Sequence, residues 1–190
     1  MIRSPFTLAR TVLLCTTIML GLMFSLVSIS AKASVTVRTS ASSYSQVHVA
    51  AMDDDETALL KLINKYRVAH HRSALRADKR LDTAATWMAR DLGARDQVVL
   101  SHTDSRHRFV DKRLKAFKYP VSRCTAKEDL AAGQPAPADV IAQWKGSKTH
   151  RKNMLARGMH AVGLARVQVP GSRYDWYWVI EIGSCVSKKL

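Results

Sequence analysis

The sequence predicts an α+β domain in which helices pack on a small, mainly antiparallel sheet, and three observations predict it. Segments with helical spacing of apolar residues come first, strand-like runs dominate the end, and the length suits a single domain. No internal repeat and no second compositional unit divides the chain.

The elements follow in order. Arg3 and Arg10 precede an uncharged apolar run, Thr11–Ser30, which ends in Ala31-Lys32-Ala33. A basic start, an apolar stretch and a small-x-small site read as a secretory signal covering residues 1–33, cut after Ala33. About 20 apolar residues also span a bilayer, so an uncleaved anchor with the arginines inside is the alternative. Either way the signal engages the membrane during export and the rest of the chain faces outward, secreted or periplasmic. Cys15 lies mid-run with no lipobox before it, which argues against a lipoprotein. Residues 34–52, rich in Ser, Thr and Ala, read as a linker or flexible tail, and 187–190 as a short basic tail.

The domain itself, 53–186, opens at "DDDETALLKLINKYRVAHH". Its aspartates supply an N-cap and negative charge where a helix dipole favours it, and Leu59, Leu60, Ile63 and Tyr66/Arg67 follow helical spacing. A second helix is expected from Asp78 to about Leu92, with Leu81, Ala84, Ala85, Met88 and Leu92 on one face. A short one is expected around Val110–Phe117. Pro137 suits a first helical turn and starts another, with Val140, Ile141 and Trp144 inward, and "SKTHRKNML" carries one more. "HAVGLARVQV" and "YDWYWVIEIGSCV" read as strands joined through Pro170-Gly171-Ser172. On the second, Trp176 and Trp178 fall on one face and Tyr177 on the other, with core packing as the default. Trp87 and Trp144 read as core at helical positions.

Removing 1–33 takes three basic residues and no acid, so the formal charge falls from +15 to +12 and two cysteines remain. In an oxidising compartment Cys124 and Cys185 are most simply a disulfide, since neither sits in a CxxC or beside an obvious base.

Five blocks in sequence carry a resemblance: "LINKYRVAHHRSALRADKRLDTAATWMARDL", "LSHTDSRHRFVDKRLKAFKY", "KEDLAAG", "DVIAQWKGSKTHRKNML" and "AVGLA…YWVIEIG". From about Asp54 to Gly183 the chain resembles the bacterial, SCP-like extracellular branch of the CAP superfamily (cysteine-rich secretory protein, antigen 5, pathogenesis-related 1). The resemblance implies an α/β/α sandwich, with an antiparallel central sheet flanked by helices. It also implies a cleft that in CAP proteins typically holds two histidines and two acids. His102 of "SHTDS" matches the first histidine, Glu128 of "KEDLA" the acid of the family's "GEN" block, and His150 of "SKTHRKN" the second histidine. Lys127 and Asp129 replace the usual glycine and asparagine, and Ser147 stands where many members carry the second acid. Asp139 lies earlier on that helix and does not fill the place. His70, His71, His107 and His160 have no such support, and His107 reads as a solvated loop residue despite its closeness to His102.

Two imidazoles and a carboxylate are acceptable ligands for a divalent metal such as zinc, which would sit at His102 and His150, although nothing in the pattern requires one. The carboxylate can instead hold one imidazole and fix its tautomer, or the cluster can act as base and orienter for a hydroxyl or water. Ser101, Ser105 and Ser147 are near in sequence, yet none sits in a Gly-x-Ser-x-Gly elbow, and there is no H-E-x-x-H. The reading therefore leans away from an enzyme and towards an exported, monomeric binding protein. The alternatives are a peptidase-like hydrolase using the same histidines with a serine or metal-bound water, and an interaction factor with a vestigial cleft. The positive charge favours anionic cell-envelope or host polymers or lipid headgroups, and CAP relatives bind sterols and lipids. Nucleic acid is not expected as a specific partner.

Overall fold

The structure, a computed structural model, describes residues 52–187. The signal expected over 1–33, most of the linker expected over 34–52, and residues 188–190 lie outside the described residues. The described elements are α1 (Asp54–Ala69), β1 (Arg76–Ala77), α2 (Lys79–Arg95), α3 (Val110–Ala116), β2 (Ala126–Ala132), α4 (Pro137–Gly146), α5 (Lys148–Met154), β3 (Ala161–Gln168) and β4 (Trp176–Gly183).

α1 begins as its sequence dictates. Asp53 accepts from the Glu56 N–H at 2.7 Å while the Glu56 carboxylate accepts from the Asp53 N–H at 2.9 Å, a reciprocal capping box. The next helix starts after the N-cap Asp78 and runs three residues past Leu92, to Arg95. Pro137 opens α4, where its missing N–H costs nothing.

The four strands lie in the order β1-β3-β4-β2. β3, β4 and β2 are antiparallel, and the two-residue β1 pairs parallel with β3 at Ala161 and Val162. Neither β1 nor β2 was expected from periodicity, because β2 is made of alanines, a lysine, a leucine and two adjacent acids. Pairing along its whole length with β4 makes it a strand.

Side-chain alternation splits the core into two layers. Val162, Leu164, Trp178, Ile180 and Ile182 pack with α1, α4 and α5, while Ala165, Tyr177, Val179 and Leu130 pack with α2. Trp178 and Tyr177 thus point to opposite faces. Trp176 lies at the rim, where the Arg166 guanidinium stacks 3.7 Å from its ring centre. Gly163 is where α2 crosses β3: a Cβ there would collide with the Leu81 backbone. A third cluster, Leu81, Ala84, Leu114 and Tyr119, includes the Cys124–Cys185 disulfide. Among the described residues no helix is long and apolar enough to cross a membrane.

Candidate functional site

The site forms where β2, an edge strand, meets the loop before α3 and the start of α5. Glu128 and Glu181 are register partners on β2 and β4, so both carboxylates project to the same face of the sheet. Two buried acids side by side need a cation, and α3 supplies it. Arg113 is fully buried, contacts Glu128 Oε2 and donates from Nη2 to Glu181 Oε1 at 3.1 Å. Burial works against the Arg113 charge, but the two carboxylates outweigh it and raise its pKa. Burial, with the Glu128 charge adding to it, pushes Glu181 well above the carboxylate range, and Arg113 opposes the shift.

Arg113 also holds the loop. Its Nη1 donates to the His102 carbonyl at 3.0 Å, and the His102 ring turns so that Nδ1 lies 2.7 Å from Glu128 Oε1. A carboxylate only accepts, so Nδ1–H is the donor, and whenever the ring carries a single proton Nε2 is the acceptor. The Glu128 side chain is 1% exposed and that of His102 is 42% exposed. The result is a chain, Glu181–Arg113–Glu128–His102, that runs from the core to an accessible imidazole.

The other face of β2 carries Asp129, which is fully buried. Asn153 of α5 donates to Asp129 Oδ1 at 2.7 Å and to the Glu128 carbonyl at 3.3 Å. Burial raises the Asp129 pKa to about 7, against lowering by the Asn153 bond and the His102 charge. His150 lies one turn earlier on α5, its ring edge-on to Trp144 at 6.4 Å. Its Nδ1 is buried without a hydrogen-bond partner among the described residues. Burial and then the nearby His102 charge lower its pKa, so it favours the neutral form.

Of the residues singled out by sequence, the structure brings His102 and Glu128 into contact and sets His150 close enough to feel the His102 charge. Ser147 does something simpler: it is the N-cap of α5, its Oγ accepting from the His150 N–H at 3.4 Å. Ser101 Oγ accepts from the Thr103 N–H, and the Ser105 N–H is held by Asp91. No serine hydroxyl bonds to either imidazole among the described residues. His107 is exposed in a turn with φ 56°. Arg113, Glu181 and Asn153 are the members that sequence reasoning missed, and Asp129 it named only as a departure from the family pattern.

The sequence profile of the Cysteine-rich secretory protein (CAP) family matches residues 60–182. The chain belongs to the CAP family. An uncharacterized protein, YkwD, of Bacillus subtilis (strain 168) is 27% identical over 113 residues, covering 60% of this chain. The match takes in 42% of that relative, so this CAP chain spans less than half of its length. Among solved structures, an outer surface protein from Borrelia burgdorferi superposes with a TM-score of 0.61 at 22% identity, over 70% of this chain and 95% of that one. An extracellular protein containing a SCP domain from Bacillus anthracis str. Ames gives 0.56 at 21% identity, over 67% of this chain and 39% of that one. These likenesses establish the CAP fold.

The CAP cleft can be tested for a resident ion. Both Glu128 oxygens are committed, one to His102 and one to Arg113. Two imidazoles remain, and among the described residues no group of three or more His, Cys, Asp or Glu side chains is arranged to hold a metal. A closed tetrahedral or octahedral centre needs more.

Proposed function

We propose that this chain is an exported CAP-domain binding protein whose cleft takes a small hydrogen-bonding ligand at His102 and His150, and whose basic surface holds an anionic partner. The observation that carries this reading is the buried Arg113–Glu128 pair behind His102. It fixes the ring's tautomer and orientation, and rigid placement of one accessible acceptor suits binding. The half-buried His150 ring supplies a second polar group for the same ligand.

Export is supported by the N-terminal pattern, by a disulfide of the kind kept in oxidising compartments, and by neighbours described as surface and extracellular proteins. A hydrolase is disfavoured because no hydroxyl is paired with either histidine among the described residues and Ser147 is spent on its helix.

The test uses the exported chain and its His102→Ala/His150→Ala form. Imidazole NMR resonances are followed against a panel of amides, carboxylates, sugars and Zn2+, with casein turnover measured alongside. Saturable shifts at both rings from an organic probe, lost in the double variant, are expected. Stoichiometric Zn2+ binding at those rings would replace the small ligand by an ion, and casein turnover that depends on them would establish the hydrolase.

A further inference from the structure

α5 joins two regions of different chemistry. His150 sits near its start, and at its other end the last carbonyl oxygens meet two arginines from α1 and the turn after it. Arg67, 1% exposed, donates to the carbonyls of Ser73 at 2.9 Å, Met154 at 2.5 Å and Met159 at 3.1 Å. Arg72 donates to Leu155 at 2.8 Å and to His70 and His71 at 3.1 Å each. The carbonyls take every Arg67 nitrogen and Arg72 Nε and Nη1 but bring no formal charge, and Arg72 Nη2 bonds to no described residue. Among the described residues no carboxylate pairs with either arginine. Burial lowers the Arg67 pKa and the Arg72 charge lowers it further, as expected of neighbouring cations without a counter-ion.

A cavity of about 200 Å³ opens on these groups, with His71, Ser73, Arg157 and Gly158 around it. Arg157 is exposed, and neither its guanidinium, the His71 ring nor the Ser73 hydroxyl bonds to any described residue. The cavity therefore has a buried cation in its lining, a second cation whose plane is fixed by three carbonyls, and free donors beside them. No acid lines it. The unbonded donors of Arg72 Nη2, Arg157, His71 and Ser73 around one cavity suit a group with several oxygens, and the Arg157 guanidinium fork matches phosphate geometry in particular.

We propose that this cavity binds a tetrahedral oxyanion, a phosphate or sulfate group, between Arg72 and Arg157 over the buried Arg67. The site is separate from the histidine cleft. It rests on the anionic-partner half of the function proposed above and gives that half an address.

The full chain is titrated with inorganic phosphate at constant ionic strength, following the backbone amides of Arg157, Gly158 and Met159 by NMR and affinity by calorimetry. One saturable site centred on those amides is expected. Arg157→Glu, an exposed change that leaves Arg67 in place, weakens it by about tenfold or more. Lys112→Glu, the same charge reversal on α3, changes it less than about twofold. A short glycerol phosphodiester polymer is then titrated: tighter binding than inorganic phosphate, lost in Arg157→Glu, assigns the site to a polymer group, and the reverse order assigns it to the free anion. Equal weakening by the two reversals, shifts centred elsewhere, or no saturable phosphate binding overturns the site. Polymer binding that survives Arg157→Glu sinks this site and keeps the anionic-partner reading, whereas no binding of either probe removes both.

Discussion

The two sides of the sheet, the stretch of β3 past β1 and the edge strand β2, are closed in opposite ways. Beyond its short pairing with β1, β3 presents N–H groups, and carboxylates answer them: Leu164 donates to Asp82 Oδ1 at 3.2 Å and Arg166 to Glu56 Oε1 at 2.8 Å. β2 presents carbonyls, and N–H donors answer: Asn153 reaches the Glu128 oxygen and the Trp144 indole reaches that of Leu130 at 3.1 Å. Each device blunts an edge that would otherwise template pairing with another chain. The difference lies in what accompanies the closure. At β3 the covering side chains serve the fold alone. At β2 the covering helix α5 also carries His150, and the covered strand carries Glu128, so closing the edge brings the strand that holds His102 up against the helix that holds His150.

The comparison can be broken most severely at Arg113. Arg113→Ala leaves Glu128 and Glu181 buried without their cation and should cost about 3–5 kcal/mol in urea unfolding. It should also free the His102 ring, seen as loss of the Nδ1–H NMR signal. Retention of both stability and signal would show that the cleft does not depend on this cation. Trp144→Phe removes the bond to Leu130 and should cost about 1–2 kcal/mol, partly from the unsatisfied carbonyl.

The next pair of changes tests whether the edges are equivalent. Asp82, like Asp129, is raised to about 7, chiefly by burial, with the Leu164 N–H opposing and Glu56 and Asp78 adding. A carboxyl raised in the folded state holds a proton that the unfolded chain has already released. Each group therefore lowers stability as pH rises from about 4 to about 7, and imposes no such penalty below that window. Asp82→Asn and Asp129→Asn should each flatten that slope and raise stability at pH 8 by on the order of 1 kcal/mol, measured by urea unfolding across pH. Only Asp129→Asn should shift the His102 imidazole resonances; a shift from Asp82→Asn as well would erase the distinction between the edges. Smallest is Ser147→Ala, which should cost about 0.5–1 kcal/mol as a lost helix cap while leaving any casein turnover unaltered.

Much of this was legible in the chain. The capping box at Asp53, the proline opening α4 and the alternation around Tyr177 are local signals, and local signals survive folding. β2 was not legible as a strand, because a run of alanines with two acids has no strand pattern of its own and owes its state to β4. His102, Glu128 and His150 were found through the resemblance to the CAP family that the five blocks carry, not from their own spacing. Arg113 was hidden within "VDKRLKAF", where it looks like one more solvated cation, because its burial against Glu128 arises only once β2 and α3 pack together. The same blindness inflated the basic clusters. Within them Arg80 is tied to Asp78, Arg108 to Asp104 and Arg151 to the Lys145 carbonyl, so less of that charge is free than a count suggests.

The Cys124–Cys185 bridge joins the chain just before β2 to the chain just after β4. The exposed Pro170-Gly171 turn falls inside the segment it encloses, between β3 and β4. A protease cutting that turn would produce two fragments still bound covalently, and β4 would remain paired with both of its neighbours. On a gel such a molecule runs as one band until a reductant is added. A domain wired in this way can be nicked at this exposed hairpin and keep its sheet together.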